Sequence, residues 1–281
     1  MKILLTGSTG FLGKNIKYLL EEYGHEVISP RSPEFLQNWD MLKDSSRREI
    51  FQYGVPEVVV HAAWGVGGTN YRESEVNLEW RDASVLLYKE AAEYGVQHFI
   101  ALGTFSENEG DLMSGDSHDN SRYAESKRQT RSKIFGLEQQ LSVPVSWLRI
   151  QYPYGYWDRP NRLVSMIIQK SILREEFTLN SPNLVLDFIH SLDVASAVLE
   201  TIEKRVFGIL EVKSGMKYSL QEVKNIIEKL LAQTSDKNMN IDSLIKHVKN
   251  DRKEKKWKSS IPLELGLSTT ITNLKIREEK N

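Results

Sequence analysis

Two side chains that can together move a proton lie four residues apart in Tyr123-Ala-Glu-Ser-Lys127. On a helix, this spacing places both side chains on one face. A tyrosine normally titrates at about pH 10, and a nearby ammonium lowers that pKa. The pair therefore predicts acid or base chemistry by Tyr123, supported by Lys127. The spacing alone is common, but here it follows a strand predicted over 97–102 and then Gly103 and Thr104. The hydroxyl of Thr104 can hydrogen-bond the same reacting oxygen.

A glycine-rich turn, Thr6-Gly-Ser-Thr-Gly-Phe-Leu-Gly13, lies between the first predicted strand and the first predicted helix. Gly7 permits a sharp turn, Gly10 leaves room for a pyrophosphate, and Gly13 lets the helix pack closely on the sheet. The helix N-terminus offers N–H groups and a partial positive charge to phosphates. The turn predicts a dinucleotide site, and the alternative is that the glycines serve packing only.

The residue type at the end of the second strand bears on the choice of dinucleotide. NAD-binding proteins usually carry an acidic residue there, which holds the ribose 2′-hydroxyl. This chain has Ser29-Pro-Arg31-Ser instead. A guanidinium can pair with a 2′-phosphate. Arg31 therefore favours NADP(H), with NAD(H) as the alternative if Arg31 is simply an exposed loop residue.

The elements that must position these residues follow an alternating pattern. Apolar runs predict strands, and stretches of helical periodicity lie between them. The strands are predicted over 2–6, 26–29, 57–61, 97–102 and 143–150, and the helices over 15–23, 45–53, 78–94 and 121–140. Such alternation predicts crossover units and a parallel sheet, that is, an α/β fold of the Rossmann-type, doubly wound class.

The pattern changes after residue 155. Helices are predicted over 162–173, 192–204 and 220–231, and short strands over 187–189 and 208–212. The lysine-rich stretch 235–260 is interpreted as a solvated surface helix or loop. We therefore divide the chain into a dinucleotide-binding domain, 1–158, and a smaller, interleaved C-terminal lobe, 159–281, with part of 187–212 returning to the Rossmann core.

Composition excludes several classes of function. The 281 residues include 37 Lys and Arg against 38 Asp and Glu, and this balance gives no reason to expect nucleic acid or an acidic membrane as a partner. The absence of cysteine excludes disulfides and thiolate zinc sites, and fits a cytoplasmic location. No apolar run approaches the ~18 residues of a spanning helix. No metal-ligand spacing and no nucleophile elbow occur, so we expect no metal and no hydrolase chemistry.

Together these motifs resemble the extended short-chain dehydrogenase/reductase family, which includes nucleotide-sugar epimerases, dehydratases and reductases. The resemblance covers nearly the whole chain. It is carried by the glycine turn, His61-Ala-Ala63, Asn77, Thr104, Tyr123, Lys127, Arg149-Ile-Gln-Tyr-Pro153-Tyr-Gly155, Asp187-Phe-Ile-His190, Asp193-Val-Ala195, Lys213-Ser-Gly215, Trp257 and Leu265-Gly-Leu267.

The resemblance implies roles for particular residues. Thr104, Tyr123 and Lys127 are the implied catalytic residues. The implied cofactor-binding residues are Gly7, Thr9, Gly10, Phe11, Leu12, Gly13, Arg31, Asp40 (at the end of a third strand), Met41, Ala62, Ala63, Lys127 and Pro153. The implied substrate-binding residues are Trp64, Phe105, Ser106 and Arg162. His61 and His190 are interpreted as packed residues.

Two departures from the family pattern narrow the implied activity. Dehydratases carry Asp-Glu directly after the threonine, whereas here Phe105 and Ser106 follow Thr104, so dehydration is disfavoured. Many nucleotide-sugar enzymes carry an arginine where this chain has Leu186, so the usual phosphate contact is missing. Arg159, Arg162 and Lys170 are the candidates to replace it.

The resemblance therefore implies an NADPH-dependent reductase of a 4-keto, nucleotide-activated deoxysugar, with Tyr123 as proton donor. The alternative is a 4-epimerase with tightly held NAD, and a third interpretation is a non-catalytic NADP(H) sensor. The implied partners are a nucleotide-sugar and a second copy of the chain, which would pack through the two long helices predicted over 78–94 and 121–140.

Overall fold

The computed structural model describes residues 1–30, 38–68, 70–108, 119–233, 241–251 and 257–278. The chain divides into two compact units. The first contains Met1–Ile150 and Val198–Glu211, and the second contains Gln151–Ala197 and Val212–Asn281. The first unit thus ends before the boundary at 158 that the sequence predicts, because residues after 150 pair with a strand of the second unit. The returning segment, Val198–Glu211, is part of the range 187–212.

The first unit is built on a six-stranded sheet. The strands are β1 Lys2–Thr6, β2 Glu26–Ile28, β3 Val58–His61, β4 His98–Thr104, β5 Val145–Ile150 and β8 Gly208–Val212. Their order in the sheet is β2-β1-β3-β4-β5-β8, and neighbouring strands from β2 to β5 are parallel. The helices between them are α1 Phe11–Glu22, α2 Asp44–Glu49, α3 Val76–Glu93 and α4 Arg122–Leu141. The predicted α/β, Rossmann-type fold is confirmed.

The strands form because they are apolar runs short enough to be buried whole. Every residue of β3 and β4 is buried, as expected for strands covered on both faces of a parallel sheet. The core beside the sheet includes Leu87 and Tyr88 of α3, each fully buried. This packing fixes the carboxyl ends of the strands, where the glycine turn, Ala62-Ala63 and Thr104 are found.

Element boundaries differ from the sequence-based expectation at two informative places. Helix α1 begins at Phe11 rather than at residue 15, so the glycine turn itself runs into the helix. Strand β4 continues to Thr104 rather than ending at 102, because Gly103 and Thr104 pair with Arg149 and Ile150 of β5. The extension of β4 arises from pairing with a strand that is distant in sequence, which local propensity does not record.

The strand order reverses direction beside β1. The chain passes from β1 to β2 on one side and then to β3 on the other. In open parallel sheets, ligands bind at such a switch point, outside the carboxyl ends of the strands. The glycine turn follows β1 and Ala62-Ala63 follows β3, so both segments lie at this edge.

The second unit has its own three-stranded sheet. Its strands are β6 Tyr152–Tyr154, β7 Val185–His190 and β9 Lys217–Ser219, with β7 in the middle, parallel to β6 and antiparallel to β9. The helices are α5 Leu163–Ile172, α7 Leu220–Ala232, α8 Ile241–Asp251 and α9 Leu263–Glu278, while α6, Ser191–Lys204, crosses from this unit into the first. A separate apolar core includes Ile167, Val223 and Leu267.

The lysine-rich segment contains a helix that is not solvated all round. Leu244, Ile245 and Val248 of α8 are buried, whereas Lys246 and His247 are exposed. The interpretation of this stretch as a solvated element therefore holds for one face only, because apolar residues recur there at helical spacing. Over the described ranges, no helix is both long and apolar enough to span a membrane.

Candidate functional site

The glycine turn makes a tight approach to the end of β3. Gly7 has φ of +74°, and a Cβ on it would lie 2.6 Å from the backbone nitrogen of Ala63. No side chain caps α1 at its N-cap residue, Gly10. Only glycine fits such a backbone, and the uncapped helix start beside it suits a phosphate. The residues present therefore fit a dinucleotide pyrophosphate at this edge.

The other residues implied for the cofactor differ in how the structure places them. Thr9 is exposed, while Gly10, Phe11, Leu12, Ala62 and Ala63 are partly exposed; only Gly13 is buried among them. Asp40 is half-buried and its carboxylate accepts a hydrogen bond from the backbone N–H of Leu42 at 3.1 Å. Met41 is 1% exposed and belongs to the core, and its carbonyl accepts a hydrogen bond from Arg47 at 3.0 Å. Arg31 lies outside the described residues.

Tyr123, Lys127 and Thr104 come together at the end of β4. Tyr123 and Lys127 lie in the first two turns of α4, whose N-cap Ser121 accepts a hydrogen bond from the backbone N–H of Ala124 at 3.3 Å. Thr104 ends β4, and its side chain lies near the phenol of Tyr123, whose pKa it lowers. The amine of Lys127 donates to the carbonyl of Leu102, at 2.8 Å.

The ammonium of Lys127 is held in a nearly closed environment. Its side chain is buried, and its Nζ lies 3.9 Å from the centre of the Trp64 ring. Burial lowers the pKa of Lys127 to about 8, and the charge of Glu107 opposes that change. A lysine pKa lowered toward neutrality by burial is typical of amines at functional sites.

Tyr123 is enclosed by aromatic rings. Trp64 and Tyr71 meet it edge-on, with ring centres 6.2 and 5.5 Å away, and the guanidinium of Arg72 lies 5.9 Å from its ring centre. Burial raises the pKa of Tyr123, with the charges of Tyr71 and Glu107 acting in the same direction, while the Thr104 side chain and the charge of Arg72 oppose the rise. In this environment the phenol stays protonated.

His61 is buried behind this site. Its two ring nitrogens are hydrogen-bonded to the hydroxyls of Thr6 and Ser84, at 2.8 and 2.9 Å. Burial, with a smaller contribution from the charge of Lys127, lowers its pKa to about 3. A neutral ring with both nitrogens engaged joins β1, β3 and α3 and has no atom left for proton transfer.

The residues implied for the substrate on the first unit are unequally accessible. Trp64 and Phe105 are half-buried, whereas Ser106 is 2% exposed. The indole N–H of Trp64 donates to Asn77 at 2.9 Å, which fixes the ring over Lys127. The backbone N–H of Ser106 donates to the Thr104 hydroxyl at 3.3 Å. The turn that holds Thr104 thus buries Ser106. Of the three residues implied for the substrate on this unit, Trp64 and Phe105 are accessible to solvent.

The remaining implied residues belong to the second unit. Pro153 is half-buried on β6, and its carbonyl accepts a hydrogen bond from Arg162 at 3.4 Å. Arg162 also forms an ion pair of 3.0 Å with Asp158, whose pKa burial raises to about 6 against the opposing charge of Arg162. Lys170 pairs with Glu175, and Leu186 is buried on β7. Arg162 is therefore oriented by a buried carboxylate.

His190, at the end of β7, is fully buried within the second unit. Its Nδ1 accepts the backbone N–H of Leu192 at 3.2 Å, and the ring meets Tyr154 edge-on at 5.3 Å. Burial lowers its pKa to about 3. The ring is packed among aromatic residues of its own unit.

Sequence reasoning missed four residues next to Tyr123 and Lys127. Glu107 is 0% exposed and accepts the backbone N–H of Thr104 at 2.7 Å. Its signal was present, since Thr-x-x-Glu is the capping-box pattern. Tyr71 and Arg72 lie against the ring of Tyr123, and Asp119 forms an ion pair with Arg72. No local pattern marks these three residues.

The parallel sheet, the glycine turn at its switch point and the Tyr-Lys helix define a dinucleotide-binding Rossmann protein. The sequence profile of the NAD dependent epimerase/dehydratase family matches residues 3–211. The chain belongs to this family, and the predicted resemblance is confirmed.

Individual relatives lie at moderate distance. The chain is 27% identical to dTDP-6-deoxy-L-talose 4-dehydrogenase (NAD(+)) of Aggregatibacter actinomycetemcomitans, over 83% of this chain and 90% of the relative. It is also 27% identical to CDP-abequose synthase of Salmonella muenchen, over 81% and 80% of the two chains. Among solved structures, UDP-glucose 4-epimerase of Thermus thermophilus in complex with NAD superposes with a TM-score of 0.79 at 19% identity, over 98% and 99% of the chains, and shares the fold.

Proposed function

We propose that the protein is an NADPH-dependent reductase of a 4-keto, nucleotide-activated deoxysugar. The observation that carries the proposal is the meeting of Thr104, Tyr123 and Lys127 at one strand end, in the unit that also holds the glycine turn. These are the groups that a carbonyl reduction requires: a proton donor, a second hydrogen-bond donor and a cation.

Each residue has a defined part in the reduction. A bound reduced nicotinamide supplies the hydride that forms the new C–H bond at the ketone carbon. Tyr123 gives its phenolic proton to the carbonyl oxygen as that oxygen becomes an alkoxide, and Thr104 hydrogen-bonds the same oxygen. Lys127 stabilises the phenolate that remains until solvent returns a proton. Because burial raises the pKa of Tyr123, the phenol starts in the protonated form that donation needs.

Loss of water from the sugar is disfavoured by the surroundings of Thr104. The carboxylate nearest in sequence, Glu107, is fully buried and accepts hydrogen bonds from Thr104, Trp147 and Arg131. It is not available as an acid or base toward a ligand.

The names of relatives favour chemistry at C4 of a deoxysugar. One relative is named for oxidation at the 4-position of a dTDP-linked 6-deoxysugar, and its name specifies NAD+. For the present chain, Arg31 favours NADP(H), since a guanidinium pairs with a 2′-phosphate.

The test is a direct assay. Purified protein is mixed with NADPH or NADH and with 4-keto-6-deoxy sugars linked to dTDP, CDP or GDP, and the absorbance of the reduced cofactor is followed. We expect consumption of NADPH with at least one of these substrates. No consumption with any of them rejects the reductase.

A 4-epimerase is the second candidate, because epimerases use the same Tyr-Lys pair and the superposed UDP-glucose 4-epimerase carries NAD. Such an enzyme keeps its cofactor through the catalytic cycle. Denaturing the purified protein would then release about one NAD per chain, whereas a reductase releases substoichiometric amounts.

The remaining parts of the proposal concern the substrate contacts, the oligomeric state and the cellular location. We assign the second unit to the sugar nucleotide, with Arg162 as its phosphate contact, and Trp64 and Phe105 to the sugar on the first unit. We further propose a homodimer through α3 and α4, which pack side by side in the chain, and a cytoplasmic enzyme, as the absence of cysteine suggests.

A further inference from the structure

Glu107 is a fully buried carboxylate to which the proposed mechanism assigns no step. It ends a short 3-10 turn, Phe105–Glu107, directly after β4. Removing a carboxylate from water is costly unless its oxygens are well paired. The hydrogen-bond partners of Glu107 therefore indicate why this carboxylate is buried.

Both oxygens of Glu107 accept hydrogen bonds. Oε1 accepts the backbone N–H of Thr104 at 2.7 Å, and Oε2 accepts the Trp147 indole N–H at 2.8 Å and the Arg131 guanidinium at 3.1 Å. A Cβ on Gly103 would lie 2.7 Å from Oε1, so the carboxylate fills the space that this glycine leaves.

The arrangement fits an ionised carboxylate. All three partners are N–H donors, and a protonated carboxyl would have to direct its own hydrogen at one of them. Burial raises the pKa of Glu107, and the charge of Lys127, the Thr104 N–H, the charge of Arg131 and the Trp147 N–H oppose the rise.

Two catalytic side chains depend on this carboxylate. Thr104 and Glu107 form a capping box, which fixes Thr104 next to Tyr123. The titratable groups that interact with Lys127 are Glu107 and His61, with Arg131 beyond Glu107, and Tyr123 lies one helical turn before Lys127. His61 is neutral and Tyr123 protonated, so the negative charge that supports the ammonium comes from Glu107 within the described part of the chain.

We propose that Glu107 is a positioning residue for the reaction, one that orients Thr104 and keeps Lys127 in its ammonium form. This inference rests on the proposed function, because it assigns Lys127 the task of supporting the phenolate of Tyr123. A purely structural carboxylate would contribute to stability without affecting the titration of Lys127.

The pH dependence has a definite sign. The pKa of Lys127 is lowered to about 8 even with Glu107 present. Activity of the unaltered protein should therefore decline as the pH rises through about 8, when the ammonium is lost. In Glu107→Gln, the counter-charge is gone, and the decline should move down by roughly one pH unit, about tenfold in the ionisation constant. At pH 8 we expect kcat to fall more than KM for the sugar nucleotide rises.

The experiment compares Glu107→Gln with Glu138→Gln. Glu138 lies on the same helix as Lys127 and its carboxylate likewise accepts a backbone N–H, that of Val145 at 2.8 Å, but it belongs to no part of the site. We expect the unaltered pH profile in Glu138→Gln. A Glu107→Gln protein that is less stable yet keeps the unaltered profile overturns the proposal.

A titration that needs no substrate separates this inference from the proposed function. NMR of protein carrying 13C-labelled lysine, with the Lys127 signal assigned by Lys127→Met, reports the Lys127 pKa directly. We expect this pKa to fall in Glu107→Gln, and an unchanged value contradicts the inference whatever the enzyme reduces. If Glu107→Gln does not fold, 13C-labelled glutamate in Lys127→Met gives the reciprocal result: the Glu107 pKa should rise, and an unchanged value is equally decisive.

Discussion

At the scale of single residues, the chemistry depends on whether the Tyr123 phenol and the Lys127 ammonium keep their protons. Burial keeps Tyr123 protonated, while the same burial brings the ammonium of Lys127 close to losing its proton. Burial thus disfavours the charged form of both groups on this helix face, which keeps the phenol available as an acid but works against the cation that Lys127 supplies. The edge-on contacts with Trp64 and Tyr71 hold the phenol in place.

Replacing Tyr123 by phenylalanine removes the proton donor and leaves the ring. We expect NADPH consumption to fall by roughly 10²- to 10⁴-fold, the usual worth of a general acid. NADPH should still raise the thermal midpoint, since the glycine turn is untouched. Tyr94→Phe is the matched control, because Tyr94 stacks on Phe51 away from the site. Full activity in Tyr123→Phe would remove this residue from the mechanism.

At the scale of elements, helix α4 determines where both reactive side chains lie. Its N-terminus is anchored by Ser121, which caps the helix and also accepts a hydrogen bond from Arg72 at 3.2 Å. The backbone N–H of Tyr123 donates to the carbonyl of Arg72 at 2.8 Å. The first turn of α4 is therefore tied to the loop before α3, and the site depends on that attachment.

Replacing Ser121 by alanine should lower the free energy of unfolding by about 1 kcal/mol, the typical cost of losing an N-cap side chain. Urea denaturation measures the change. Ser132→Ala on the same helix is the control, because Ser132 is exposed in the helix interior and alanine there is no worse a helix former. Equal stabilities of the two variants would show that the cap does not support this helix.

At the scale of the whole molecule, the sheet topology gives the first unit its ligand edge. Because β2 and β3 flank β1, the turns after β1 and β3 diverge and leave room at the carboxyl ends of the strands. The second unit has an independent core and carries Arg162 on the Asp158 ion pair. A net charge of −1 leaves recognition to these local groups rather than to a general field.

Cofactor choice is a property of the whole protein that thermal unfolding reports, since a ligand that binds only the folded chain stabilises it by RT ln(1 + c/Kd), where c is the free ligand concentration. We expect NADPH to raise the midpoint more than NADH does at equal concentration. Arg31→Ala should abolish that difference, whereas Arg174→Ala, in the second unit, should preserve it. A larger shift with NADH in the unaltered protein would favour NAD and, with it, the epimerase.

The sequence by itself determined the fold class and the candidate catalytic residues, because their signals are local. Buried strands are continuous apolar runs, the turn needs glycine where φ is positive, and Tyr123 and Lys127 share a helix face through their spacing alone. Tertiary structure decided what surrounds them. The three-residue strands β6 and β9 exist only by pairing with β7, and residues distant in sequence, such as Trp64, Arg131 and Trp147, meet Lys127 or Glu107 only after folding. Burial then sets the pKa values, and burial is a property of the packed chain that no short sequence pattern carries.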